Sequence, residues 1–540
     1  MSYYFADEMK QVLNDYPQYK EKLYCRGFLI TNDRLENLNE YPFYSNWNCI
    51  TLNGIENTYN IYTHKEIKSY VYEYEDKCFF IVGHAYDPFN MRIKEEDILK
   101  DLAIAFSKSE RDFWDAESNL TGVFCVGYLD NDKMVYATDC AGMQLVYHGT
   151  IKNKLYVTSH SKLVADLLDL RQTEYVERLV NNKFWHYWGT WLPGDLSPYK
   201  ELRRMQPNFE AIYNGDLGEI RMERFYPLRE VVETATEDEY QETIKELGKI
   251  MSNTMYLIGQ KWSDKKVSIS VTGGRDSMTA LSCTNGNYDK FTYFSYISNV
   301  DESVDAYAAK DILKHLGLEH EIFEIPEEYE EYNNIEAFKK VMQCNAGCIG
   351  ENNLNDVKKR LYFSKKTPCD VEVKSWVNEM GRGWYYNKYN KKSFPKYPTP
   401  SYWRCMHKAY INDLWLIKET DKVFKEYLDK YYSKEVFDRL SWLELYFWEF
   451  AWSGGEGVFL TSEHRVSYEI TIPFNNRRYI EKMLTVPLHK RIADNIPKDL
   501  ITSQNAAIAE CGIVIKDVQH TNLRALIVRV YLEIMSRIGF

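Results

Sequence analysis

The sequence predicts two folds in one chain, a layered α+β unit followed by an α/β unit built on a parallel sheet. Three observations carry this. The 540 residues exceed the length at which a single hydrophobic core usually stops growing. Short β-branched and aromatic runs dominate from about residue 25 to 225. Beyond that point strands alternate with amphipathic helices, the rhythm of βαβ units with helices on both faces of the sheet.

In chain order, the runs Tyr24 to Thr31, Thr58 to His64, Lys77 to Gly83, Gly122 to Leu129, Met134 to Asp139, Lys154 to Thr158 and Glu210 to Tyr213 read as strands. Helical periodicity at Glu95 to Ser107 and Ser161 to Leu168 makes this unit layered rather than a pure sandwich. Arg224-Phe225-Tyr226-Pro227, followed by the acidic stretch Glu230 to Glu239, marks a junction, dividing the chain into 1–225 and 226–540. A helix is expected from about Tyr240 to Lys261, then a strand at Lys266 to Val271, a helix from Ser277 to Cys283, and a strand at Phe291 to Ile297. A helix at Val304 to Leu316, strands at Glu319 to Ile325 and Val371 to Ser375, and a helix near Glu379 complete the series. No internal repeat or low-complexity tract interrupts it.

Composition narrows the function. Hydrophobic residues at 45% and charged residues at 27% are ordinary values for a globular protein. The net charge of −12 argues against a large nucleic-acid surface, which needs concentrated positive charge. The 44 tyrosines are scattered through all segments, so they read as packing rather than a base-stacking platform. The opening MSYYFADEMKQ is acidic where a signal peptide carries Lys or Arg, and no apolar run reaches the ~20 residues of a membrane span. A cytoplasmic protein with reduced thiols is expected, since its 11 cysteines lack the dense spacing of a secreted scaffold. Cys344 and Cys348 have no second Cys/His pair to complete a zinc site.

The chemistry-bearing segment is Val267-Ser268-Ile269-Ser270-Val271 followed by Thr272-Gly273-Gly274-Arg275-Asp276-Ser277. An apolar strand runs into a glycine pair and then a helix, which places the loop at the carboxyl end of a parallel sheet and the helix N-terminus beside it. Glycines admit phosphate close to the backbone, Thr272 and Ser277 offer hydroxyls, and Asp276 is a hard oxygen ligand suited to Mg2+. No Gly-Lys-Ser/Thr follows, so this is not a Walker loop.

The segment resembles the Ser-Gly-Gly-x-Asp-Ser loop of the ATP-pyrophosphatase superfamily, with Thr272 in place of the first serine. Four further resemblances in order point to its asparagine-synthetase branch, which includes β-lactam synthetases and lasso-peptide cyclases. Asp301-Glu302-Ser303, Ala308-Ala309, Leu316-Gly317 and His320 look like its second βαβ unit, beside the adenosine site where Ser295 is expected. Ser375-Trp376-Val377-Asn378-Glu379-Met380-Gly381-Arg382-Gly383-Trp384 looks like its second signature and the Gly-Gly-Tyr-like turn that follows, with Asn378 where an aspartate metal ligand is expected and Glu379 retained. Ile472-Pro473-Phe474-Asn475-Asn476-Arg477 resembles its Pro-Phe-Leu-Asp-Lys/Arg segment, and Lys498 falls where the family has an essential lysine.

Leu120-Thr121-Gly122-Val123-Phe124, Asp139-Cys140-Ala141-Gly142 and Leu192-Pro193-Gly194 are similar to motifs of the family's glutaminase-like, Ntn-hydrolase-like domain. Active members use a cysteine at residue 2, where this chain has Ser2, a far weaker nucleophile. Cys25 would serve only after removal of the preceding residues. The resemblance therefore implies an ATP- and Mg2+-dependent ligase without glutaminase activity. It would convert a small-molecule or peptide carboxylate to an acyl-adenylate and pass it to an amine or ammonia. The implied nucleotide contacts are Thr272, Gly273, Gly274, Arg275, Asp276, Ser277 and Ser295; the metal donors are Asp276 and Asn378; the catalytic groups are Lys498 and the acids Glu379 and Glu449. A homodimer is allowed. Two other readings are a silent nucleotide-binding scaffold and a tRNA-modifying ATP-pyrophosphatase, the latter disfavoured by charge.

Overall fold

Two antiparallel sheets and one parallel sheet organise the computed structural model, which describes residues 4–44, 47–185, 190–350, 353–407, 412–511 and 522–539. The first sheet orders its six strands Arg203–Arg204, Tyr147–Ile151, Lys154–Thr158, Phe28–Thr31, Thr58–His64 and Trp47–Asn53. The second runs Glu219–Arg224, Phe209–Asn214, Lys133–Thr138, Thr121–Asp130, Lys77–Tyr86 and Ser69–Tyr74. Thr121–Asp130 and Lys77–Tyr86 are buried along nearly their whole length, and helix Glu95–Phe106 packs on this sheet. Burial on both faces explains why these strands read as continuous apolar runs rather than alternations. They also approach unusually closely: Gly122 has φ +140, and a Cβ there would lie 2.2 Å from the His84 carbonyl oxygen.

The expected layered α+β unit is present, with Thr58–His64, Lys154–Thr158 and helix Ser161–Leu168 at their predicted bounds. Strands Trp47–Asn53, Ser69–Tyr74, Tyr147–Ile151, Arg203–Arg204 and Glu219–Arg224 were not predicted; several lie at or near sheet edges, where polar, exposed positions weaken the pattern.

Helix Glu237–Lys261 opens the second unit. Thr236 caps it, its hydroxyl accepting from Glu239 N at 3.2 Å while the Glu239 carboxylate accepts from Thr236 N at 3.1 Å. Tyr240, Ile244, Leu247, Met251 and Ile258 then form the buried stripe. The parallel sheet orders its strands Glu321–Glu324, Thr292–Ile297, Val267–Ser270, Val371–Val373 and Glu469–Thr471, every pair parallel. From the central strand Val267–Ser270 the chain builds outward to one side and then, from Val371, to the other. The crevice between these two central strands, at their carboxyl ends, is the switch point where such sheets bind ligands. The helix expected near Glu379 is a single 3-10 turn, Asn378–Gly381.

The two units share one continuous core. Asn475 accepts from Ala141 N at 2.9 Å and donates to Gly122 O at 2.6 Å, and Asn476 donates to Asn119 O at 2.7 Å. Arg477 pairs with Glu117 and donates to Asn208 at 2.9 Å. The Pro-Phe segment thus clamps the halves together. All eleven cysteines are free thiols, and no described helix is long and apolar enough to cross a membrane.

Candidate functional site

At the switch point a cavity of about 290 Å³ is lined from both central strands and the segments that follow them, including Thr272, Asp276, Ser277, Ser295, Lys374 and Glu379. The glycine loop forms one wall. Ser277 Oγ donates within reach of Thr272 O at 2.9 Å and Gly274 O at 3.0 Å, and it accepts from Thr272 N at 3.1 Å. Gly274 N donates to Thr272 Oγ1 at 3.1 Å. The two hydroxyls therefore brace the turn into helix Arg275–Ser282. Burial raises the proton affinity of the Asp305 carboxyl on the cavity wall, and the neighbouring Gly273 backbone amide acts in the opposite sense. Ser295 Oγ donates to Val271 O at 2.5 Å and lies 2.8 Å from His320 Nε2. Burial pushes the His320 imidazole down to about 4, so the ring is neutral near pH 7.

The opposite wall is electrostatically different. Val377 has φ +80, a strained conformation for a β-branched residue, and the turn after it aims Asn378 at Asp276 and Glu379 into the cavity. Glu379 Oε2 and Ser375 Oγ are shielded from solvent with no hydrogen-bond partner. Burial, and next the charge of Asp276, push the Glu379 carboxyl well above its usual range. Glu456 also bears on it and is itself raised to about 7 by burial, with Lys374 acting in the opposite sense. Lys374 is buried, 3.5 Å from Glu372 and 4.7 Å from the Trp376 ring centre, and burial lowers its pKa. Glu456 ends an eleven-residue π-helix, Tyr446–Glu456, a rare element that recurs at functional sites.

The remaining sequence-predicted residues are placed as follows. Arg275 Nη1 donates to Asp494 at 2.6 Å. Asp276 accepts from Asn378 Nδ2 at 2.7 Å and Arg382 Nη1 at 3.1 Å, while Asn378 Oδ1 accepts from the Tyr479 hydroxyl at 3.1 Å. Lys498, on helix Asn495–Gln504, donates to Ala493 O at 2.6 Å and does not line the cavity. Glu449 is fully buried away from the cavity lining, between Arg224, Asn208 and Tyr432. Lys374 and Glu456 were missed by sequence reasoning, whereas Arg382 and Asp494 fall in segments matched to the family, the second signature and the Arg491-Ile492-Ala493-Asp494 segment, without a role assigned to either. Lys374 had a signal, since it directly follows the strand Val371–Val373 that leads into Ser375-Trp376; Glu456 had none.

In the first unit Cys25 is buried just before strand Phe28–Thr31. Tyr24 N donates to Asn345 Oδ1 at 2.7 Å, so the chain continues through this point into packed structure. Met1 and Ser2 lie outside the described residues.

No family model and no curated protein matches this chain. Among solved structures it is similar to the allosteric regulatory enzyme of purine biosynthesis, at 10% identity and TM-score 0.23, covering 59% of this chain and 63% of that one. It is also similar to glutamine phosphoribosylpyrophosphate amidotransferase from B. subtilis complexed with ADP and GMP, at 11% identity and TM-score 0.22, covering 52% and 62%. A third is glutamine-dependent NAD+ synthetase from Acinetobacter baumannii in complex with adenosine diphosphate, at 14% identity and TM-score 0.19, covering 46% and 49%. The matches span less than two thirds of each of these chains. None superposes closely enough to transfer a residue's role.

Proposed function

We propose that the switch-point cavity binds ATP and activates a carboxylate as an acyl-adenylate, which an amine or ammonia then converts to an amide with release of AMP. The observation that carries this reading is the braced Thr272-Gly273-Gly274 turn at the carboxyl end of the central parallel strand, opening on a cavity with a shielded carboxyl on its far wall. The substrate carboxylate attacks the α-phosphorus, and pyrophosphate leaves. The turn and the N-terminus of helix Arg275–Ser282 hold the anionic end. Lys374 lines the cavity and is the cation best placed to balance charge as pyrophosphate departs; Lys498 would first have to leave the Ala493 carbonyl. Glu379 in its ionised form takes the proton released by the attacking amine, a role that suits a carboxyl with raised proton affinity.

The first unit contributes the clamp around Asn475 to Arg477 and no glutaminase. Hydrolysis of glutamine needs an exposed thiolate beside a free α-amine, and Cys25 is buried within the chain. Full-length protein with an intact N-terminus is expected to release no glutamate from glutamine.

A second reading, nucleotide binding without turnover, is favoured by the ion pair of Arg382 with Asp276. One experiment separates the two. The protein is incubated with ATP and a metabolite extract, and AMP, pyrophosphate and condensation products are followed by mass spectrometry. Stoichiometric AMP and amide support ligation, whereas nucleotide binding with no AMP under any mixture leaves the silent reading.

A further inference from the structure

The two donors expected to hold magnesium, Asp276 and Asn378, are bonded to each other and to their neighbours, while Glu379 and Asp305 also line the cavity. Mg2+ is held through one or two carboxylates together with substrate phosphates and waters. Here Asp276 accepts from Asn378 Nδ2 and from Arg382, one bond on each carboxylate oxygen. Asn378 turns its nitrogen toward Asp276 and gives its carbonyl oxygen to Tyr479. Asp494 is held by Arg275 at 2.6 Å and by a bidentate bond from Arg382 at 2.7 and 2.8 Å. Glu302, also on the cavity wall, is bonded to Lys359 at 2.7 Å and to Ser298.

We infer that this pocket neutralises its phosphate ligand with the Arg382 guanidinium instead of a divalent cation, so that nucleotide binding is independent of Mg2+. The inference rests on the reading that ATP binds here, and it turns on two residues that act together. A carboxylate at position 378 would face Asp276 with like charge and demand a cation between them. Asn378 removes that demand by donating to Asp276, and Arg382, which does not itself line the cavity, supplies a fixed positive charge to Asp276, which does. Its three bonds to Asp276 and Asp494 leave one N–H on each terminal nitrogen, on a side chain that remains 18% exposed. A planar guanidinium fixed on two carboxylates is pre-organised to receive phosphate oxygens.

The test is calorimetric titration of the full-length chain with ATP, in EDTA and in excess Mg2+. The expected Kd is the same in both within about threefold, and Arg382→Gln weakens binding in EDTA by at least about tenfold, the loss of one charge-assisted bond. The double variant Asn378→Asp with Arg382→Gln restores two facing carboxylates without the guanidinium, and its ATP binding is expected to become Mg2+-dependent. If wild-type protein binds ATP only with Mg2+, the inference falls while the ATP reading stands. If it binds ATP in neither buffer, the reading falls and takes the inference with it. Should Arg382→Gln not fold, the wild-type comparison alone decides.

Discussion

Glu449 and Glu379 are both acids in apolar surroundings, and both are candidate proton acceptors on sequence grounds, yet the structure treats them in opposite ways. Glu449 is saturated. Arg224 meets its two oxygens at 2.6 and 2.8 Å, Asn208 donates at 2.9 Å and the Tyr432 hydroxyl at 2.6 Å. Glu379 has an oxygen with no partner at all, an acidic neighbour on either side and a carboxyl pushed toward the neutral form. A buried charge that is fully paired holds structure, and removing its partner is costly. A shielded carboxyl left unpaired is tolerated where something else comes to use it. The first belongs to the joint between the two halves of the molecule, the second to the cleft.

The comparison breaks most sharply at Glu449→Ala, which leaves the largely shielded Arg224 guanidinium without its carboxylate. A loss of about 3–5 kcal/mol in unfolding free energy is expected, read by denaturant titration; an effect under about 1 kcal/mol would show that the joint does not depend on this pair. Glu379→Gln should do the reverse. Stability changes by less than about 1 kcal/mol, because no hydrogen bond to the shielded oxygen is lost, while AMP formation falls by at least about a hundredfold, the scale of a lost general base. Equal AMP formation by this variant and wild type would remove Glu379 from the chemistry.

The pH dependence of stability sharpens the same contrast at a smaller scale. Glu456 keeps its proton up to about 7 in the folded protein, against an ordinary value of 4.5. Between these values the native state binds more protons than the unfolded chain, so stability falls as pH rises through the window. Glu456→Gln should flatten that fall by about 1–3 kcal/mol; identical pH profiles for variant and wild type would contradict the placement of this side chain. The smallest effect is expected at Lys498→Ala, where an exposed ammonium on a backbone carbonyl should change stability by no more than about 0.5 kcal/mol. Its effect on AMP formation, set beside that of Lys374→Met, tells which lysine serves the pyrophosphate.

What the sequence revealed follows the range of the interactions involved. The glycine turn was legible because strand, turn and helix are consecutive, and its bracing bonds span no more than five residues. The strands flanking it could be read for the same reason. Lys374 follows a legible strand, but its place beside the loop was hidden, because it joins the loop only through parallel pairing of Val371–Val373 with Val267–Ile269. Glu456 and Glu449 sit in one aromatic-rich stretch that reads as core throughout, and the π-helix that separates their surroundings leaves no periodic trace. What distinguishes Glu449 is Arg224, 225 residues earlier in the chain. An acidic residue in an apolar run carries no local mark of whether a guanidinium awaits it.

The clamp at Asn475, Asn476 and Arg477 bears on how such a chain can change by recombination. Its partners are backbone carbonyls and amides and the Glu117 carboxylate, and Arg477 is itself buried. A crossover that replaced residues 1–225 with an unrelated segment would strand a guanidinium and two amides inside the remainder. Exchange of the first half alone therefore costs the second its packing, whatever chemistry the surface of the first carries.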